Sequence, residues 1–347
     1  MALLFSKVAQ YVQDWRQRSS LLNEPDATAI PQSWHQFDQQ QTDWISITPS
    51  KPANLSGTGN DNKETESEIT DRANTIPLTL MTWNVDAMAD YPERRMLEVL
   101  SAFRNQSPQP NILFFQEVPK SALASILGHS WIRNDWYSSE RDATQWSGQQ
   151  FATITLLSKQ TFNHHGDDLS KARIGQIWRV KYPSRFGRDA LCCHMFVPPL
   201  GVRVRLVNVH LDSLPIQPSL RPRQLAIIAN MLHAAGRGVV AGDFNPVLPG
   251  DDDLVSANRL VDVWTELHQT EGFTWGIDGQ QPFPPARLDK FAMVGLKATA
   301  IDIIHPGVLS NPGEGDKDQD LKDGLVPGVP WSDHSGLRCS FSLVNVL

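Results

Sequence analysis

The stretch Gly242-Asp243-Phe244-Asn245 sets a carboxylate and an amide two residues apart, directly after the apolar run Val239-Val240-Ala241. On an extended backbone, side chains two residues apart point to the same face. At the open end of a sheet, such a pair can take a proton from water and hold that water or a phosphate oxygen. A Gly-Asp turn that merely closes a strand would be spelled the same way, so the reading depends on whether other strands end alike. They do. Leu78 to Trp83 runs into Asn84, Ile112 to Phe115 runs into Gln116-Glu117, and Val204 to Val209 runs into His210. Asp289 lies inside the otherwise apolar Arg287-Leu288-Asp289-Lys290-Phe291, and Ser332-Asp333-His334 comes just before the alternating run Leu337 to Leu343. Polar groups collected at strand ends are where α/β folds build sites.

From Pro77 onward these strands alternate with helical patterns. Met96, Leu97, Leu100 and Phe103 fall on one face of a helix over 92–103, opened by Pro92. A second helix is expected over 220–235, with Leu225, Ile228 and Leu232 on one face, a start near Pro222 and a stop at Gly236. A shorter one is expected over 121–127, and further strands over 151–157, 191–197 and 338–344. Residues 1–75 differ in character. Leu4, Val8, Val12 and Trp15 predict an amphipathic helix over 2–18, and the polar stretch 49–75 predicts a flexible linker. The basic face of that helix admits a mitochondrial presequence; a helix docked on the following domain is preferred. The acidic, apolar-poor stretch Gly313 to Gly324 reads as a mobile loop.

Composition bounds the function classes. No apolar run approaches the roughly 18 residues of a membrane span. Three cysteines, two of them the adjacent Cys192 and Cys193, supply neither a disulfide framework nor metal-ligand spacing. They read as small core residues of an intracellular protein, nuclear or cytoplasmic. The net charge of −7 argues against a non-specific nucleic-acid coat but leaves room for a local basic groove. Lys171 to Arg188 holds six basic residues and no acid, with Trp178, Tyr182 and Phe186 interleaved, and Arg203, Arg205, Arg221 and Arg223 follow. Such a run is either a solvated face or a track for phosphates and bases.

Taken in order, Thr82-Trp83-Asn84, Gln116-Glu117-Val118, His210-Leu211-Asp212-Ser213, Gly242-Asp243-Phe244-Asn245, Arg287-Leu288-Asp289-Lys290-Phe291 and Ser332-Asp333-His334 resemble the successive motifs of the endonuclease/exonuclease/phosphatase superfamily. Thr82-Trp83-Asn84-Val85-Asp86, Val261-Asp262-Val263-Trp264 and Phe273-Thr274-Trp275 resemble its tyrosyl-DNA phosphodiesterase 2 branch. The resemblance covers about residues 77–347. It implies an α/β fold, a four-layered sandwich of two mixed sheets flanked by helices, of the deoxyribonuclease-I type. It also implies a catalytic domain over 76–347 behind an N-terminal extension over 1–75.

The implied activity is metal-dependent phosphodiester hydrolysis. Glu117 is a hard oxygen ligand for Mg²⁺ or Mn²⁺, with Asn84 and, by family analogy, Asp333 beside it. Asp243 is the candidate base, with Asn245 orienting the attacking water. His334 and His210 face the phosphoryl oxygens. Asp289 either orients His334 or pairs with Arg287 or Lys290. Trp275, Ser213 and Arg223 are candidate substrate contacts. The expected partner is a nucleic-acid end, above all a 5′-phosphotyrosyl DNA end, as in DNA repair.

The chain departs from that branch in two places. Pro246-Val247-Leu248 stands where Leu-Arg-Asp follows the Asp-x-Asn, and Leu214-Pro215 stands where Thr-Arg follows the His-Leu-Asp-Ser. Both remove polar or positive groups near the substrate. A same-fold enzyme acting on a phosphoinositide, another small phosphoester or abasic DNA is therefore the alternative. A non-catalytic binding module is the third reading, and the complete set of motif residues counts against it.

Overall fold

The computed structural model describes residues 27–49, 77–146, 148–165, 168, 170–198, 201–309 and 328–343. The expected helix over 2–18, all but the first residue of the expected linker and the Gly313 to Gly324 loop lie outside the described residues. In chain order the first strands are β1 (Thr28–Gln32), β2 (Trp34–Asp38), β3 (Asp43–Ile47), β4 (Leu78–Asn84) and β5 (Ile112–Pro119). Then come β6 (Trp136–Ser138), β7 (Phe151–Ser158), β8 (Phe162–Asn163), β9 (Ala172–Lys181), β10 (Asp189–Val197) and β11 (Val202–His210). The remaining strands are β12 (Gly238–Asp243), β13 (Val261–Asp262), β14 (Asp289–Val294), β15 (Leu296–Ile304) and β16 (Gly336–Leu343).

They form two 8-stranded sheets. One has the order β1-β9-β10-β11-β12-β14-β13 with β8 attached to β9; the other has the order β15-β16-β4-β5-β7-β6-β2-β3. Each is mixed: β4 pairs parallel with β5, β11 with β12 and β8 with β9, among otherwise antiparallel neighbours. The central strands β4 and β12 are buried at every position, which is why they read as continuous apolar runs rather than alternating ones. One core fills the space between the sheets, from Leu80 and Phe114 to Leu206 and Phe291. A second lies beneath the helices Pro92–Arg104 and Lys120–Gly128. A third lies beneath Arg221–Ala235, which starts beside Pro222 and ends at Gly236 with φ +74°. Helix, sheet, sheet and helix make the four layers.

Three unanticipated strands lie in residues 28–47, which the sequence reading set apart from the domain, and β6, β8, β9, β13 and β15 were not expected either. β1 pairs with β9 in one sheet, and β2 pairs with β6 in the other. The segment thus crosses between sheets at Ser33. Trp34 is fully buried in the inter-sheet core and donates its indole N–H to Gly175 O at 3.0 Å. Trp44 donates to Leu127 O at 3.1 Å. Strands this short depend on their partners for stability, so their own composition announces little.

The expected strands and helices of the rest appear, with boundaries moved by a few residues. Among the described residues, no helix is long and apolar enough to cross a membrane.

Candidate active site

Two sheets packed face to face bring the ends of their central strands together, and the polar residues that closed those strands meet there. Asn84 ends β4 and Asp243 ends β12; Asn84 Nδ2 donates to Asp243 Oδ2 at 3.0 Å across the sheets. The other carboxylate oxygen of Asp243 accepts the Asn245 backbone N–H at 2.9 Å. Asn245 adopts φ +47° and donates its side-chain amide to Leu211 O at 3.2 Å, which fastens the turn to the β11 exit. Gly242 cannot be replaced easily. Its φ is +133°, and a Cβ there would lie 2.1 Å from Val209 O.

His210 ends β11, in register with Asp243. Its Nε2 lies 3.5 Å from Asp243 Oδ2 and 3.6 Å from Glu117 Oε1, and it is buried without a hydrogen bond. Burial, then the charges of Arg188 and His334, push its pKa well below the ordinary histidine value. The ring is neutral, with its ε nitrogen directed between two carboxylates. Glu117 stands in a left-handed conformation, φ +54°, at an irregularity in the β5–β7 pairing, and accepts Ala87 N–H at 3.0 Å.

On the far side of Asp243, in register on β14, is Asp289. It does not pair with Arg287 or Lys290, which are bound to Asp262 at 2.8 Å and Asp252 at 3.0 Å. It receives the Nδ1 of His334 at 2.8 Å. Burial opposes the His334 charge, but the carboxylates of Asp289, Asp333 and Asp243 outweigh it and hold the imidazolium well above its ordinary pKa. The two histidines shift in opposite directions, which favours a protonated His334 and a neutral His210. Asp243 is itself pushed up to about 7, by burial first, with Asp289 adding and His334 opposing.

Asp333 accepts the indole N–H of Trp275 at 2.9 Å, so Trp275 flanks the site and is bonded to it. Ser332 ties this loop to β4 by donating to Asn84 O at 2.6 Å. Ser213 accepts from Arg188 Nη2 at 3.2 Å.

The helical arginine that reaches the site loops is Arg221, two residues before the expected Arg223. Two residues turn a helix by about 200°, which sends the pair to opposite faces. Arg221 is buried, pairs with Asp251 at 2.9 Å and donates to Asp212 O at 2.7 Å and Leu214 O at 3.1 Å. Asp251 in turn accepts the N–H groups of Val247 and Leu248 at 3.1 and 2.8 Å. This pair joins the loop after His210 to the loop after Asn245, at the two places where the chain departs from its look-alikes. Replacing Arg221 by Met would leave Asp251 buried and unpaired, a loss of about 3–5 kcal/mol. Urea unfolding should show it, and R221M/D251N should recover part of the loss.

Three further site residues carried a signal that was not used. Asp86 follows Asn84 by two positions, the same spacing as Asp243 and Asn245. Burial, then the negative charges of Asp333 and Glu117, push its carboxyl up to about 7 against the pull of Arg95. Arg95 is buried on the first helix and donates to Asp86 O at 3.0 Å and Pro330 O at 3.2 Å. Arg188 lies over Phe151 at 4.8 Å. It helps line a cavity of about 230 Å³ beside Glu117 and His210, with Tyr182, Phe186 and Gln149.

Among the described residues, no three His, Cys, Asp or Glu side chains stand close enough to enclose an ion as they are. The donor chemistry nevertheless fits one. Asp86, Glu117 and Asp333 are hard oxygen donors whose mutual repulsion already raises the proton affinity of Asp86, and a divalent cation would relieve that repulsion.

The comparisons with known proteins agree with this fold. Among curated proteins, none matches the chain significantly. The structure is similar to that of D. rerio TDP2 complexed with single strand DNA product, with a TM-score of 0.57 at 18% identity over 76% of this chain and 98% of that one. It is similar to TDP2 from C. elegans, with a TM-score of 0.52 at 21% identity over 77% and 75% of the two chains. At such identities the likeness is one of fold. The family model of the Endonuclease/Exonuclease/phosphatase family matches residues 81–334, from within β4 to His334. Enzymes of that family generally use divalent metal ions. This chain belongs to the endonuclease/exonuclease/phosphatase family and has its phosphoester-hydrolase fold.

Proposed function

We propose that the protein is a metal-dependent phosphodiesterase acting on nucleic-acid ends, 5′-phosphotyrosyl DNA ends foremost. One observation carries the proposal: Asp243 has His210 Nε2 3.5 Å from its carboxylate and, in register on its other side, Asp289, which holds His334 Nδ1 at 2.8 Å. A base flanked by a proton-bearing donor suits attack of water on a phosphodiester.

In this reading Asp243 takes the proton of the attacking water, and Asn245 and Asn84 fix the position of that water and of the carboxylate. His334 donates from Nε2 to the phosphoryl oxygen on which charge accumulates, and Asp289 keeps it protonated and aimed. His210 offers its ε nitrogen on the opposite side. Glu117 and Asp86, with Asp333, would hold Mg²⁺ or Mn²⁺; such an ion supplies Lewis-acid polarisation of the phosphoryl group and neutralises charge.

A tyrosyl leaving group, a phenol with a pKa of about 10, needs little protonation to depart. That agrees with a site rich in phosphate-facing groups and poor in a dedicated acid. Support also comes from the similar D. rerio TDP2, which was solved with a single-stranded DNA product.

A second reading keeps the chemistry and changes the substrate to another phosphoester. The observation that favours it is Pro246-Val247, with Val247 37% exposed where the look-alikes carry an arginine. Incubation with a 5′-tyrosylated oligonucleotide and Mg²⁺ separates the two. Tyrosine release that is abolished by chelator and by Asp243→Asn supports the first reading. Turnover of a soluble phosphoester without any cleavage of DNA supports the second.

A further inference from the structure

The acid-free basic run at Lys171 to Arg188 does not act as one surface, because the pleat of β9 divides it. Ala172, Ile174 and Ile177 enter the inter-sheet core, while Arg173 and Trp178 face outward, the phase being kept by a bulge opposite Cys193 and Met195. The partners of these outward residues come from β10 and β11. Phe196 stands in register with Arg173 on one side and Arg203 on the other, and the Arg173 guanidinium lies 4.4 Å over the Phe196 ring. Two residues along β10, His194 faces Arg205 and packs on Trp178 with ring centroids 4.8 Å apart. Arg205 lies 5.4 Å from the Trp178 ring and donates to His194 Nε2 at 2.9 Å and to Met231 O.

The rings lie across bare backbone. A Cβ on Gly175 would come within 2.8 Å of both His194 Cβ and Phe196 Cε2. Helix Arg221–Ala235 covers the neighbouring part of this face, over Cys192, Val207 and Val240, and reaches Arg205 through Met231 O, leaving Arg173, Phe196 and Arg203 beyond it.

Three features of this face point to a ligand. The outward positions at this end of β9, β10 and β11 are Arg173, Gln176, Trp178, His194, Phe196, Arg203 and Arg205, without an acid. Among the described residues, no ion pair involves Arg203 or Arg205. His194 is pushed down to about 4, by burial first and then by Arg205 and Arg203, so the local potential is positive. On a chain of net charge −7, outward positions of β9, β10 and β11 that carry three arginines and no acid are a segregated charge, and such patches attract polyanions. The aromatic groups decide which polyanion. An acidic peptide would engage the guanidinium groups and leave Phe196 and Trp178, both only partly buried, without a role. A single-stranded nucleic acid uses both, placing phosphates on arginine and bases on the rings.

We propose that the outward face of Arg173, Phe196 and Arg203, backed by Trp178, His194 and Arg205, binds a single-stranded segment of nucleic acid away from the hydrolytic site. Arg203 and His210 are separated by seven steps of β11, or about 23 Å, so a strand must be long to touch both places. The inference stands apart from the proposed reaction, since binding on this face needs neither metal nor turnover.

Fluorescence anisotropy with a dye-labelled oligothymidylate of about 20 nucleotides, in chelator and over a salt series, tests it. R173Q/R203Q leaves Arg205 and Trp178 intact, and its circular dichroism and Tm establish that it is folded. The double variant is expected to bind several-fold more weakly, with the slope of log K against log salt reduced by about 1.4, or about 0.7 per lost phosphate contact. Unchanged affinity and slope in R173Q/R203Q would overturn the proposal. So would displacement of the oligonucleotide by polyglutamate at equal charge, which would assign the face to an acidic peptide. Failure of tyrosine release alongside a normal R173Q/R203Q effect would remove the proposed reaction and leave this face standing.

Discussion

Asp243→Asn is expected to reduce kcat by about 10²–10⁴-fold, the range that a positioned general base supplies, with a smaller change in KM. The substitution keeps the size of the side chain and an acceptor for Asn245 N–H, so the geometry of the turn survives. A second readout separates the chemical role from a structural one. The Asp243 carboxyl is pushed up from 3.8 to about 7 in the folded protein. Between those values the native state holds a proton that the unfolded state has released, so this group's stabilising contribution is complete below about 4 and is lost as pH rises through about 7. Asparagine has no such dependence. The stability of the variant relative to wild type should therefore rise as pH is raised from about 4 to about 7, as measured by chemical unfolding at several pH values. A variant that loses activity while its relative stability stays flat with pH would show that Asp243 is not held as a buried, reluctant acid.

The second large effect concerns the His334–Asp289 pair. His334→Asn should cost about 10²–10³ in kcat, comparable to the loss of one donor to a developing oxyanion. Asp289→Asn is the more informative change. The carboxylates of Asp289, Asp333 and Asp243 together hold His334 protonated against its burial, and Asp289 is the one that touches it, at 2.8 Å. Removing that charge lowers the His334 pKa. The cationic donor is then lost at a lower pH, so the alkaline limb of the pH–rate profile should move to lower pH in Asp289→Asn. A uniform loss of rate with the alkaline limb unmoved would reduce Asp289 to a packing role.

Comparison of these residues with their surroundings shows where local sequence runs out. Asn84, His210 and Asp243 could be picked out from the chain because each closes an apolar run, whereas Asp289 opens its strand and His334 stands before one. Even the odd acid at Asp289 was legible as a partner for His334, although Arg287 and Lys290 competed for it. Their own acids, Asp262 and Asp252, lie 25 and 38 residues away and had no local mark. The same limit applies to Arg221. Composition places an arginine near the helix start, but only the packed helix decides that Arg221 turns inward to Asp251 and the two site loops. Glu117 and Asp86 were present in the quoted motifs. That they share one electrostatic environment with Asp333 and Arg95 depends on loops that close over 247 residues, from Asp86 to Asp333.

What the chain determines by itself is the apolar runs of the central strands and the polar residue that closes each, because these follow from short-range periodicity and residue chemistry; the reaction class came from the resemblance of those motifs to a family. What only the tertiary structure decides is which of those residues touch and what proton each carries. Asn84 reaches Asp243 across 159 positions, and the pKa of His210 is lowered, by burial and then by Arg188 and His334, while that of His334 is raised by three carboxylates against its burial. The N-terminal strands belong to the same category: Thr28–Gln32 and Trp34–Asp38 become strands because two sheet edges are there to receive their backbone groups. Partner geometry across long sequence separations sets those outcomes, and no window of neighbouring residues contains it.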